Sequence, residues 1–148
     1  IFNTSSDYRL KENEVSISDG ITRIKQLKPY KFNFKIQPDK TVDGFFAHEV
    51  SSIVPEAISG EKDAPETLQK VVLDSSGNIL AFNLKQSKWT QGKTDGDYAN
   101  DTTWEASKEI IKSQNIDQSK LVPLLTAALK EAVTKIEALE ARVTTLEG

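Results

Sequence analysis

Residues 122–147 read VPLLTAALKEAVTKIEALEARVTTLE, and the spacing of their apolar side chains decides the architecture of the chain. Val122, Leu125, Leu129, Ala132, Ile136, Leu139, Val143 and Leu146 follow one another in alternating steps of three and four, four heptads without a break. A sustained 3.5-residue repeat of this kind predicts a helix whose apolar seam meets a partner helix. Val122, Leu129, Ile136 and Val143 take the a positions; Leu125, Ala132, Leu139 and Leu146 take d. Pro123 fits only at the start of such a helix, where backbone amides lack internal partners. About 25 residues at ~1.5 Å each give a rod of roughly 37 Å. A helix of this length can also fold back on its own domain, but the unbroken heptad favours a partner. Lys135 at g precedes Glu140 at e, and Arg142 and Glu147 repeat the arrangement. In a parallel, level coil each g faces the e′ five residues on, so both pairs attract. Valine or isoleucine at a with leucine at d suits two strands. Ala128 (g) and Val133 (e) broaden the stripe and suit more. Dimer and trimer both stay open on this pattern.

The whole chain of 148 residues amounts to about one domain. An apolar share of 37% is modest for a compact globule. The net charge of −3 gives no global signal for a polyanionic partner. Absence of cysteine removes disulfides, thiolate zinc sites and thiol nucleophiles together, and a single histidine removes any multi-histidine metal site. No metal and no cofactor are expected. The longest purely apolar run, Ile79-Leu80-Ala81-Phe82, is far short of the roughly 20 residues that span a bilayer, so no membrane partner is expected. No signal peptide opens the chain. A sequence without methionine that starts Ile1-Phe2 reads as a piece of a longer polypeptide.

Residues 1–20 are polar and turn-rich, and residues 18–58 carry the pattern of a folded body. Ser18 or Asp19 can cap a short helix with Ile21, Ile24 and Leu27 on one side, ended by Pro29. Tyr30, Phe32, Phe34 and Ile36 then alternate with Lys31, Asn33, Lys35 and Gln37, which predicts a half-buried strand. Pro38-Asp39-Lys40 reads as a turn, Val42 to Phe46 as a partner strand broken at Gly44, and Val50, Ile53 and Val54 as one face of a short helix stopped by Pro55. Thr67–Leu73 and Ile79–Leu84 predict a hairpin around Asp74-Ser75-Ser76-Gly77-Asn78. Residues 85–105, which hold both tryptophans among Gly, Asp, Thr and Asn, read as a surface loop or insertion.

Several short motifs fail on their spacing. Gly92-Lys93-Thr94 lacks the first glycine of a phosphate loop, which would fall on Ser87. His48-Glu49 lacks the second histidine of a zinc-protease helix, which would fall on Ser52. A calcium loop from Asp95 through Asp97 and Asp101 needs glycine where Asn100 stands and a carboxylate where Ala106 stands. The basic stretch Arg23, Lys25, Lys28, Lys31, Lys35 and Lys40 interleaves with aromatics, as a single-strand nucleic-acid platform would. Period two sets the aromatics on one strand face and Lys31 and Lys35 on the other, so a core face backed by a solvated lysine face is the better reading and no nucleic acid is expected. His48 reads as a hydrogen-bonded structural residue at a strand-to-helix junction.

Three stretches remain, and their order carries more than any one of them. Ser6-Asp7-Tyr8-Arg9-Leu10-Lys11 comes first, then Gly44-Phe45-Phe46-Ala47-His48-Glu49-Val50 with Pro55-Glu56, then Ser119-Lys120-Leu121-Val122-Pro123-Leu124-Leu125 before the heptad helix. Over residues 5 to 147, apart from 85–105, the chain resembles the intramolecular chaperone auto-processing domain at the C-terminus of bacteriophage tail spikes, tail fibres and endosialidases. The resemblance implies a homotrimeric folding clamp, made as the last part of a fibre polypeptide in the host cytoplasm and released after maturation. It implies a cut between Ser5 and Ser6, served by a dyad of Ser6 and Lys11, with Asp7, Arg9 and Leu10 as the supporting motif. The family often has glutamine where His48 stands, which leaves the role of the histidine open.

The chemistry of such a dyad is coherent. A serine hydroxyl needs a base, and with no histidine near it a neutral lysine amine is the available one. An ordinary lysine titrates near 10.4 and a useful base near 7–8, so the folded state must disfavour the ammonium by ~3 units, or ~4 kcal/mol. Burial between chains is one way to supply that. Asp7 and Arg9 are expected to be scaffolding, pairing with each other or with a neighbouring chain. The expected whole is an α+β protein: residues 1–5 as the end of an upstream fibre segment removed by the cut, 6–116 as a body of short helices and hairpins, and 117–148 as the helix of a parallel trimeric coiled coil. Its partners are two further copies and the upstream fibre of the same polypeptide. A tip that trimerises without cleaving, or a coiled-coil module that binds nucleic acid, are the rival readings.

Overall fold

The computed structural model describes residues 5–148; residues 1–4, most of the expected upstream segment 1–5, lie outside the described residues. Contacts group residues 5–58 with 116–148 in one compact unit and Ser59–Asn115 in a second. The C-terminal helix is thus grouped with the N-terminal half of the chain.

In the first unit, a 3-10 turn at Tyr8–Leu10 precedes helix α1 (Gly20–Ile24), strands β1 (Tyr30–Asn33) and β2 (Thr41–Gly44), helix α2 (Ala47–Val50) and, at the far end of the sequence, helix α4 (Val122–Glu147). Strands β1 and β2 form an antiparallel hairpin with Tyr30 opposite Gly44 and Phe32 opposite Val42. The strand expected over residues 30–36 stops at Asn33, because the Phe34 carbonyl accepts from the Gln37 amide and closes a turn. Gly44 leaves room for the Phe32 ring. A Cβ there would lie 3.1 Å from Cε1 of the Phe32 ring.

Val50, Ile53, Val54 and Ala57 are buried with Leu121 and Leu124, and Ile24, Leu27, Phe45, Ile58 and Ile116 pack around them. Arg23 donates from Nη2 to the Ile53 carbonyl at 2.6 Å and so ties the end of the α2 segment to α1. Asp117 caps the 3-10 turn Gln118–Leu121 by accepting from the Ser119 amide, and Pro123 sits in the first turn of α4.

Helix α4 has two apolar stripes. Leu121, just ahead of it, and its own Leu124 and Ala128 are buried, and α1 lies so close that a Cβ on Gly20 would meet the Ala128 backbone at 2.6 Å. Ala128 is therefore part of the chain's own core, which corrects its reading as a broadening of the seam. The heptad stripe is left open: Val122, Leu125, Leu129, Ile136, Leu139, Val143 and Leu146 are all exposed and Ala132 is half-buried. Lys135 pairs with Glu131 at 3.1 Å within the chain.

The second unit is a three-stranded antiparallel sheet ordered β5-β4-β6, from β4 (Pro65–Leu73), β5 (Ile79–Ala81) and β6 (Thr103–Ile111). Val71, Val72 and Leu73 are its buried centre, and the expected hairpin is β4–β5. Short strands β3 (Ile58–Ser59) and β7 (Asn115–Ile116) pair where the chain passes from one unit to the other. The reading of 85–105 as a loop is corrected. Residues Gln86–Asp95 form helix α3, and β6 begins at Thr103. Trp89 donates to Thr102 Oγ1 at 3.0 Å, Trp104 to the Leu84 carbonyl at 2.8 Å, and the Tyr98 ring leaves no room for a Cβ at Gly92. Both tryptophans hold local structure together. Among the described residues, no helix is long and apolar enough to cross a membrane.

Candidate active site

The segment Ser5–Lys11 folds around Asp7. Its Oδ1 accepts from the Arg9 amide at 2.9 Å and caps the 3-10 turn that follows. The Arg9 guanidinium closes on the same carboxylate, Nε to Oδ1 at 3.0 Å and Nη2 to Oδ2 at 2.9 Å. The turn is completed by the Leu10 amide on the Asp7 carbonyl and the Lys11 amide on the Tyr8 carbonyl, both 3.1 Å. One turn of this kind brings residues five apart in sequence side by side. Lys11 Nζ donates to Ser6 Oγ at 2.6 Å.

Charge in the turn is locally settled. The Arg9 hydrogen bonds hold the Asp7 carboxyl below its ordinary value, and Asp7 in turn raises the Arg9 guanidinium. Asp7 and Arg9 thus pair with each other, as expected of scaffolding. Ser5, Ser6, Tyr8, Arg9, Leu10 and Lys11 are exposed and Asp7 is half-buried. Among the described residues, no hydrogen bond joins residues 5–15 to the rest of the chain.

The eight heptad residues do not converge on this turn. They form their own exposed stripe on α4, separate from Ser6 and Lys11. His48 lies at the junction after β2, in α2, with its ring stacked on Phe46 at 6.1 Å and its backbone carbonyl accepting from Ser51 Oγ at 2.9 Å. Of the basic stretch, Arg23 binds Ile53, Lys28 pairs with Glu49 at 3.0 Å and Lys31 with Asp43 at 3.5 Å.

The aromatic side of the hairpin also departs from expectation. Tyr30 and Phe32 within β1 are half-buried, as the alternation predicts, but Phe34 and Ile36 beyond it are exposed, and Phe46 with them. The core is filled instead by Phe45 and the aliphatic residues of α2 and α4. Sequence reasoning missed Glu49, whose Oε1 accepts from Lys28 and Tyr30 and whose Oε2 is buried with no hydrogen-bond partner. Lys28 holds the Glu49 carboxyl below its ordinary value against the opposing effect of burial. A carboxylate beside an aromatic strand was the available signal.

Among the described residues, no group of three or more His, Asp or Glu side chains gathers as a metal site would. No curated protein matches the chain. Residues 6–59 match a family of the peptidase class described as chaperone of endosialidase. The matched segment starts at Ser6 and ends at the last residue of β3, so it takes in both the Ser6–Lys11 turn and the aromatic hairpin. That match, over little more than a third of the chain, is to the chaperone domain of phage tail proteins and supports a chaperone role.

Proposed function

We propose that this chaperone assembles as a parallel homotrimer through α4, assists the folding of an upstream phage fibre or spike on the same polypeptide, and releases itself by cutting between Ser5 and Ser6. The observation that supports the cut is the 2.6 Å contact of Lys11 Nζ with Ser6 Oγ at the first residue of the family match. With its amine neutral, Lys11 takes the Ser6 hydroxyl proton. Oγ adds to the Ser5 carbonyl carbon through a five-membered ring, since nucleophile and scissile bond share one residue. The C–N bond then breaks, the proton passes to the departing nitrogen, and Ser5 is held as an ester on Ser6. Water hydrolyses the ester and leaves a new carboxylate on Ser5 and a free amine on Ser6. Adjacency supplies the positioning that a separate enzyme must obtain by binding.

Assembly supplies what one chain lacks. Ser6 and Lys11 are exposed, and only burial under a neighbouring copy would strip the amine of water. The open seam of α4 supports that association, because seven large apolar side chains in one stripe exceed what a monomer's surface ordinarily shows. The test uses a chain carrying its upstream segment or an N-terminal tag. Intact-mass analysis should find a fragment beginning at Ser6. Ser6→Ala and Lys11→Ala should each stay whole while sedimenting as the same oligomer, and Ile136→Asp with Leu139→Asp should give a monomer that is not cut. Release of the same fragment from Ser6→Ala would overturn the dyad.

A further inference from the structure

The chain leaves the first unit at Ile58 and returns to it at Ile116, where β3 and β7 pair. Each unit is closed there by bonds of its own. In the first, the Asp117 amide donates to the Ala57 carbonyl at 2.8 Å, and Ile58 and Ile116 both pack on the buried cluster. In the second, the Lys112 amide donates to the Ala64 carbonyl at 2.8 Å, and the β4–β6 ladder runs on from Pro65 opposite Ile111. A segment whose two ends are neighbours can sit within a domain without interrupting it.

The cores divide at the same point. Every member of the cluster around Val50, Val54 and Leu124 lies in residues 24–58 or 116–124. Val71, Val72, Leu73 and Thr102, the buried side chains of the second unit, all lie in 59–115. Trp89 and Trp104 are bonded to Thr102 and Leu84, which lie there too. The family match ends at Ser59, where the second unit begins. Ser6, Lys11 and the seam of α4 belong to the first unit. Opening the sheet of the second unit would take no side chain out of the first core, which is the condition for two separately cooperative units.

We propose that Ser59–Asn115 is an inserted folding unit that opens on its own, and that assembly and the cut are carried by the first unit without its help. The statement about the cut rests on the self-cleavage reading, and the statement about folding does not.

Both tryptophans of the chain lie in the second unit, so their fluorescence follows that unit within the full chain. Val72→Ala removes packing from the centre of the sheet and should lower the urea midpoint of fluorescence by roughly 1 M. Hydrogen-exchange protection of the α1 and α2 amides should stay as it is. Leu124→Ala should do the reverse, weakening protection of α1 and α2 and leaving the fluorescence midpoint in place. A substitution that moves both readouts together overturns the separate folding. The second experiment puts a charge in the sheet. Val72→Asp, in a chain with its upstream segment, should strip protection from β4 and β6, keep the oligomer size and release the Ser6 fragment at the unsubstituted rate. A smaller oligomer, or release that stops, overturns the assignment of assembly and cut to the first unit. An unsubstituted chain that is never cut removes the self-cleavage reading, and the fluorescence and exchange readouts still decide the folding.

Discussion

At the scale of single residues, Asp7 does the positioning. Ser6 and Lys11 meet because the residue between them caps a turn and clasps Arg9. A hydroxyl and an amine five apart are an ordinary coincidence in a polar stretch, so the residues themselves did not single the pair out. The ordered resemblance to a family did. The cap was legible in principle, since aspartate accepting from an amide two residues on is a common local bond. The Asp7 carboxyl is held below its ordinary 3.8 by Arg9. Its contribution to the turn is therefore complete above that value and lost as pH falls through the lower folded value. The titration midpoint of Asp7, followed by NMR, should lie below 3.8 and return toward it in Arg9→Ala. An unchanged midpoint would mean that the clasp does not persist in solution.

At the scale of elements, legibility followed periodicity. The β1–β2 and β4–β5 hairpins and the burial of Val50, Ile53 and Val54 were readable because apolar residues recurred at the period of the element that holds them. Helix α3 was not readable. Its sequence QSKWTQGKTD has no apolar period and a glycine inside, and what holds it is the single anchor Trp89–Thr102 and the Tyr98 ring folded over Gly92. The aromatic hairpin misled only in extent: Tyr30 and Phe32 are half-buried as the alternation predicts, but Phe34 and Ile36, past the end of the strand, are exposed. The α1–α4 contact was also invisible in sequence, because it depends on a missing side chain. Glu131 accepts from the Ile21 amide at 3.0 Å, and Gly20 lets the two backbones approach. Gly20→Ala would push a methyl into the Ala128 backbone, which cannot turn aside as a side chain can. A loss of about 1–3 kcal/mol is expected, read as an earlier midpoint in urea unfolding. A midpoint that does not move would show that α1 shifts freely on α4.

At the scale of the whole molecule, the heptad seam was the part most fully written in the sequence, and the structure adds that the same helix is in use on another side. Leu124 and Ala128 are committed to the chain's own core, while Leu125, Leu129 and Ile136 face outward. Lys135 is already bound to Glu131, so Arg142 and Glu147 make the cleaner pair for testing the register between chains. Two stripes on one rigid rod fix an angle between them. Helix α4 works like a keyed shaft, and the body is mounted on it at one rotational phase. Chains that join along the seam would then present their bodies, and the hairpins they carry, at equal angles around the axis. Phase can be changed by an insertion within α4, between the part of the seam beside the body and the part beyond it. One alanine inserted between Thr134 and Lys135 turns everything beyond it by about 100°, whereas seven residues fall only ~20° short of two full turns and lengthen the rod by roughly 10 Å. With Leu146→Cys linking the chains in both variants, the seven-residue insertion should still release the Ser6 fragment and the single alanine should not. Equal release from both would show that the angle at which the bodies are carried is of no consequence to the cut.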